Sequence, residues 1–459
     1  MSKKSKILNK FLEFYVILYK IAIEIKANTA SGKEEIHIMD NEIQACYTQI
    51  LKEELIPALG CTEPIALAYG AAYARRLLGS IPERYLVQCS GNIIKNTAAV
   101  TVPQTDGMRG IPAAVLCGSL GGNPDLGLEV LTSLTQQDLE AVHSALDANL
   151  VTVEPLDTPH PLHIIIRMEA KGDYVKVELI DAHTRLGNVE KNGELLHCRQ
   201  SNQKIEACRN HRLLNTRGIL EYADCIDLDQ VREPLEQQIT YNTAISQEGL
   251  THSWGASVGK TLLECEGQKL RTRLKAAAAA GSDARMNGCS LPVVINSGSG
   301  NQGITVSMPV ILYAQNIEAS HEKLLRALCV SNLMAIHQKT GIGRLSAFCG
   351  AVSAATGAVT GIAYLDGASY EVISQMVINS LANVGGMVCD GAKSSCAAKI
   401  ASALESALLG YEMAKRRRGF VNGEGIVKSN VEDTIASVSR MAAVGMRATD
   451  QEILKIMVG

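Results

Sequence analysis

Residues 348–399 constrain this chain more than any other stretch. They carry Phe348-Cys349-Gly350-Ala351, then Ser353, Ala354, Gly357 and Gly361, and later Cys389-Asp390-Gly391-Ala392-Lys393 with Cys396. Gly350, Ser353, Ala354, Gly357 and Gly361 recur at helical spacing, so one helix face lacks bulk and invites a second helix to lie close against it. The glycine, alanine and serine around Cys349, Cys389 and Cys396 also leave room for something large. Three thiolates hold an iron–sulfur cluster and leave one iron open to a substrate. Free cysteine is equally at home as a small core hydrophobe. Cys389 and Cys396 follow neither a zinc-ribbon nor a ferredoxin pattern, so spacing alone leaves both readings open.

The chain of 459 residues has room for two domains, or for one large core with an insert. Its net charge of −3, from 44 Lys and Arg against 47 Asp and Glu, excludes a general polyanion-binding field. The basic run 415–418 falls in a helical stretch and reads as a solvated face or a C-terminal helix turn, not a nucleic-acid site. Thirteen cysteines, an odd number without disulfide rhythm, fit a reducing cytoplasm. One Trp and four Phe beside 39 Gly predict a core of aliphatic and small residues. Lys3, Lys4 and Lys6 precede an apolar tract over 8–25, but Glu13, Lys20 and Glu24 interrupt it. Its longest uncharged run, 14–19, is too short for a signal peptide or a membrane span. Residues 1–38 therefore read as an appendage, an amphipathic helix followed by a polar link, with Met39 as the expected start of the functional part.

Three further segments follow: 39–136, the first part of a core; 137–228, an inserted small domain; and 229–459, a helical part that carries the three cysteines. Ile43, Cys46, Tyr47, Ile50, Leu51 and Leu55 predict a helix ending at Pro57. Gly60-Cys61-Thr62-Glu63-Pro64 then opens a helical run to Leu78, with Thr62 or Glu63 as its cap and Pro64 in its first turn. That places Cys61 at a helix N-terminus, where the dipole and free N–H groups lower a thiol pKa and Glu63 opposes part of the effect. A strand over 85–89 enters Ser90-Gly91-Asn92-Ile93-Ile94-Lys95-Asn96, read as a small-residue turn with donors for a carboxylate.

In the insert, 162–168 and 174–180 form a β-hairpin around the turn 170–173, joined by 151–153 and a weaker strand near 188–196. His160, His163, His183 and His197 read as the surface of these strands. Farther on, 275–280 is alanine-rich helix and 281–288 a loop. Then 291–296 meets Ser297-Gly298-Ser299-Gly300-Asn301-Gln302-Gly303, a literal G-x-G-x-x-G with Glu318 about twenty positions beyond. Residues 304–312 are β-branched and carry Pro309, so no helix is expected there. A glycine nest facing a small anion, with Asn301 and Gln302 as donors, fits better than a dinucleotide loop. Helices follow over 326–339, 372–384 and 392–415, with Cys389 on a turn and Cys396 in the first turns of the last helix.

Gly-Cys-Thr-Glu-Pro at 60–64, Ser-Gly-Asn with Lys-Asn at 90–96, Ser-Gly-Ser-Gly-Asn-Gln-Gly at 297–303, Phe-Cys-Gly-Ala at 348–351 and Cys-Asp-Gly-Ala-Lys-x-x-Cys at 389–396 together resemble the iron–sulfur L-cysteine desulfidase family in its bacterial branch. The resemblance runs from about residue 42 to the end. It implies a 4Fe–4S cluster on Cys349, Cys389 and Cys396, a proton acceptor at Cys61, no pyridoxal phosphate, and conversion of L-cysteine and water to pyruvate, ammonia and sulfide. With it, the carboxylate-binding candidates are Ser90, Gly91, Asn92, Lys95, Asn96, Gly298, Gly300, Asn301 and Gln302.

The helical part more distantly resembles the alpha subunit of iron–sulfur L-serine dehydratases. The serine–histidine-rich motif of those enzymes is absent, and the chain ends in Gly459 and not cysteine, which tilts the substrate away from serine. The expected fold is α+β, a mostly helical core with an inserted small α+β domain containing a β-hairpin. The expected partner is a small amino-acid substrate in the cytoplasm, with no nucleic acid or membrane; a homodimer is left open. The alternatives are a serine or related β-elimination lyase, and a cluster-binding redox sensor without enzymatic activity.

Overall fold

The computed structural model describes residues 39–198 and 210–458; the N-terminal helix expected before residue 39 lies outside them. The architecture is α+β. Its strands are β1 (Pro57–Leu59), β2 (Arg84–Cys89), β3 (Val151–Pro155), β4 (His163–Ala170), β5 (Asp173–Ile180), β6 (Leu186–Lys191), β7 (Glu194–His197) and β8 (Pro292–Val294). β1 and β8 form a two-stranded antiparallel sheet, and the other six a mixed sheet in the order β3-β2-β4-β5-β6-β7. Only β2 and β3 run parallel.

The β4–β5 hairpin forms where expected. Lys171 and Gly172 turn it with φ 54° and 89°, positive at both positions as a tight I′ turn requires. Where one weak strand was expected near 188–196, a second hairpin turns at Asn192 and Gly193, with φ 51° and 87°. Alternation puts Ile164, Ile166 and Met168 of β4 and Val175, Val177 and Leu179 of β5 on a fully buried face. The helix Thr62–Leu78 packs on that face. Gly70 lets it settle, because a Cβ there would stand 3.0 Å from Ile166 Cδ1. The sheet thus props up the helix that begins at Cys61. β2 comes from the segment before residue 137, and the described residues from Asn41 onward pack as one unit.

The helical part is built on close backbone contacts. Leu270–Met286 is buried almost all round and packs against Arg232–Thr251, Val258–Glu266, Gly300–Asn316 and Cys396–Lys415. This corrects the loop expected at 281–288, since the helix runs on to Met286. Gly281 is there for packing: a Cβ would meet Ser246 Oγ at 2.8 Å and Ile304 Cγ2 at 2.9 Å. Helix Gly350–Leu365 lies against His321–Ile342 through its small face, and a Cβ on Gly357 would be 2.5 Å from Ser331 O.

A second correction concerns 304–312. The helix Gly300–Asn316 runs straight through the β-branched stretch with Pro309 inside it. Ile304, Val306 and Val310 are completely buried, so tertiary packing outweighs the weak helix propensity. The last long helix starts at Cys396, not near 392. Before it, Gly391 takes φ 100°, and Lys393 Nζ folds back onto Asp390 Oδ2 at 2.6 Å and Asp390 O at 2.9 Å. Among the described residues no helix is long and apolar enough to cross a membrane.

Candidate active site

Four cysteines from four segments face one cavity. Cys61 is the N-cap of Thr62–Leu78 and Cys349 the N-cap of Gly350–Leu365; neither side chain makes a capping bond. Thr62 and Glu63, expected as caps, lie one and two residues inside the helix. Cys396 is the first residue of its helix. Cys389 is held by a short antiparallel bridge, in which Cys389 N–H donates to Ala347 O at 2.6 Å and Cys349 N–H to Met387 O at 2.9 Å. The cavity has an empty volume of about 690 Å³, part of it open to solvent, and Gly350, Ala351, Gly391 and Ala392 form its small-residue wall. Gly391 is required there, since a Cβ would stand 2.4 Å from Lys95 O.

The thiols are not equivalent. Cys349 donates to the Cys389 sulfur, which holds Cys389 well below the ordinary thiol range; Lys95, the Gly391 amide and Lys339 reinforce this against burial. The same hydrogen bond, then burial, pushes Cys349 up. Burial also raises Cys396. Cys61 corrects the sequence expectation. Burial, then the charge of Glu63, pushes its thiol well above the ordinary value and outweighs the helix terminus. Its Sγ donates to Glu63 Oε2 at 3.1 Å. Glu63 also accepts from Thr62 Oγ1 at 3.2 Å and from Asn96 Nδ2 at 3.1 Å.

The expected carboxylate binders divide. Asn96, Asn301 and Gln302 line the cavity with the cysteines. Lys95 lies behind Cys389, its Nζ donating to Cys389 O at 3.4 Å and paired with Asp450. Ser90, Gly91 and Asn92 line a different cavity, of about 1480 Å³ empty volume, together with Pro161 and Arg447. They open the helix Gly91–Thr97 and do not form the expected turn. Gly298 and Gly300 leave space for arginines: a Cβ would be 3.1 Å from Arg344 Nη1 at Gly298 and 2.2 Å from Arg285 Nε at Gly300.

Because Gly300 opens a helix after β8, the strand–loop–helix order of a dinucleotide loop is present after all. β8, however, pairs only antiparallel with β1. The parallel crossover that such a loop serves is missing at this strand.

Several ionisable groups at or beside the cavity belong to none of the sequence motifs. Arg285 is 2 % exposed. Its Nη1 donates to Asn301 Oδ1 at 3.1 Å, while Nε and Nη2 are buried without a partner. Lys339 lines the cavity at 5 % exposure, and burial holds its pKa down to about 8. Arg344 joins them, paired with Glu54 at 2.6 Å. His183, expected on a strand surface, is 5 % exposed; a Cβ on Gly298 would lie 3.2 Å from its Cε1. Arg285 and Lys339 both sit in helices that carry other charged residues, Arg271, Arg273, Lys275 and Asp283 in one and Glu322, Lys323 and Arg326 in the other, so no signal in the sequence singles them out. His183 gave none either.

Among the described residues no group of three or more His, Cys, Asp or Glu side chains is arranged to hold a single metal ion. Cys349, Cys389 and Cys396 nevertheless line one cavity, with Cys349 and Cys389 in direct contact. Soft thiol donors, small walls, and the amides of Ala351 and Gly391 facing two of the sulfurs suit a polynuclear iron–sulfur group.

A family model described as serine dehydratase alpha chain matches residues 125–455. A UPF0597 protein of Lachnoclostridium phytofermentans is 50 % identical over 408 residues, which cover 89 % of this chain and 98 % of the relative. One from Desulfitobacterium hafniense is 47 % identical over 412 residues, 90 % of this chain and 96 % of the relative. One from Treponema denticola is 46 % identical over 426 residues, 91 % and 99 %. The matched segment carries Arg285, Lys339 and the cysteines at 349, 389 and 396, and the chain belongs to the serine dehydratase alpha chain family, which is associated with iron–sulfur clusters and lyase chemistry.

Proposed function

We propose that the chain is an L-cysteine desulfidase, converting L-cysteine and water to pyruvate, ammonia and hydrogen sulfide. The observation that carries this reading is the meeting of Cys349, Cys389 and Cys396 with Cys61 and Glu63 on one small-walled cavity. Cys349, Cys389 and Cys396 would hold a 4Fe–4S cluster, whose open iron supplies Lewis acidity toward the leaving sulfur or the carboxylate.

The chain's own residues manage the proton. Cys61 Sγ is hydrogen-bonded to Glu63 Oε2, so the carboxylate is placed to take the thiol proton. The resulting thiolate removes the Cα proton of the substrate as the β-sulfur departs as sulfide. Asn96 and Thr62 fix Glu63 for this exchange, and burial keeps Cys61 a thiol until it is used. The aminoacrylate released tautomerises and hydrolyses in water to pyruvate and ammonia.

The second reading, an L-serine dehydratase, is favoured by the family match itself. Protein reconstituted anaerobically with iron and sulfide, washed free of excess and assayed for pyruvate from L-cysteine and L-serine, separates the two. Turnover of serine alone sinks the desulfidase reading.

A further inference from the structure

We propose that Arg285 and Gln302 form an α-amino-acid recognition pair: the Arg285 guanidinium takes the carboxylate and Gln302 Oε1 accepts from the α-ammonium. This deepens the proposed elimination by naming the groups that read the substrate's common end. It concerns binding alone and stands or falls separately from the chemistry.

Arg285 projects from the buried helix Leu270–Met286 and cannot shed its charge in a protein. A guanidinium this deeply buried requires a counter-charge and hydrogen-bond acceptors. Its hydrogen-bond acceptor in the structure is the neutral amide oxygen of Asn301. Glu63, the one carboxylate on the cavity wall among the described residues, is already engaged by Cys61, Thr62 and Asn96. The atoms left over are informative: Nε and Nη2 form one edge of the guanidinium plane, and that edge grips a carboxylate through two parallel bonds. Gly300 makes room for this edge, since any side chain there would displace Nε.

Gln302 supplies the complementary half. It is 6 % exposed, lines the same cavity, and its Oε1 is buried without a donor. Gly350 yields the space it occupies, because a Cβ there would meet the Gln302 carboxamide at 2.5 Å. A bidentate donor edge and a lone acceptor in the lining of one cavity complement a carboxylate and an ammonium carried by the same carbon. The β-substituent is left to the part of the same cavity lined by Cys349, Cys389 and Cys396, where the cluster would sit.

Calorimetric titration of the full-length protein, purified anaerobically, tests this with L-alanine, propionate and ethylamine, none of which has a leaving group. L-Alanine is expected to bind, propionate to bind more weakly, and ethylamine not to bind. Arg285→Gln should weaken L-alanine at least roughly thirtyfold, and Arg285→Lys should recover part of that loss. Gln302→Leu should weaken L-alanine while leaving propionate unchanged. Melting curves of each variant show whether it is folded, and Arg285→Lys retains the buried charge if Arg285→Gln does not fold. The proposal is overturned if ethylamine binds as well as L-alanine, if L-alanine does not bind, or if Arg285→Gln binds it as the parent does. The last result would make Arg285 a counter-ion to the thiolates. Absence of pyruvate or sulfide production, with amino-acid binding intact, would count against the elimination and not against this pair.

Discussion

His183→Gln should flatten the acid side of the stability profile. The imidazole is buried where the six-stranded sheet meets the turn at Gly298, and burial holds its pKa at about 4 instead of 6.5; Arg344 and Arg285 add to this while Glu63 opposes it. Below pH 6.5 the unfolded chain takes up a proton at this ring, and the folded chain does not until about pH 4. The contribution is therefore complete above pH 6.5 and is lost progressively as pH falls to 4. At about 1.4 kcal/mol per pH unit the loss reaches roughly 3 kcal/mol. Urea unfolding of parent and variant at pH 7, 6, 5 and 4, at fixed ionic strength, reads this as a stability difference that shrinks with acidification. Parallel profiles would refute the placement of His183 as a buried neutral ring.

Changing Cys349, Cys389 or Cys396 to serine should each cut the iron retained after anaerobic reconstitution, measured by iron assay on desalted protein. Cys61→Ser should keep the iron yet lower kcat on L-cysteine by about a hundredfold or more, the scale of losing a general base; loss of iron would make Cys61 a ligand instead. Asp450→Ala leaves Lys95, 1 % exposed, without its ion-pair partner. A cost of about 3 kcal/mol in urea unfolding is expected, and an unchanged midpoint would dismiss the pair as structural support. Gly118→Ala puts a Cβ 2.1 Å from Ala68 O, where helices Thr62–Leu78 and Gly110–Gly121 touch. It should cost about 1–3 kcal/mol and lower the melting temperature.

The sequence was most legible where local chemistry and tertiary packing agree. The β4–β5 hairpin pairs alternating apolar residues with a turn of two positive-φ positions, and the small face of Gly350–Leu365 announces a close helix contact. Legibility failed where burial overrides propensity. Gly281 after an alanine run reads as a break, yet it is the contact that lets Leu270–Met286 pack against Ser246 and Ile304. Ending that helix early hid Arg285, whose importance rests on a partnerless buried edge and not on any pattern of neighbours. Pro309 and the β-branched run misled in the same way, because packing stabilises a helix that those residues disfavour locally. Ser90 and Asn92 illustrate a different limit. Their small polar side chains suit a carboxylate as the sequence suggests, but the fold points them into another cavity. A thiol at a helix start carries no record of how deeply it will be buried, so the direction of the Cys61 pKa could not be read from position.

The most direct test is the amount of sulfide and pyruvate released from L-cysteine by anaerobically reconstituted protein with a full complement of iron. Equimolar sulfide and pyruvate, absent from the same protein before reconstitution, is the predicted result. Neither product from fully loaded protein, or pyruvate from L-serine alone, would contradict it.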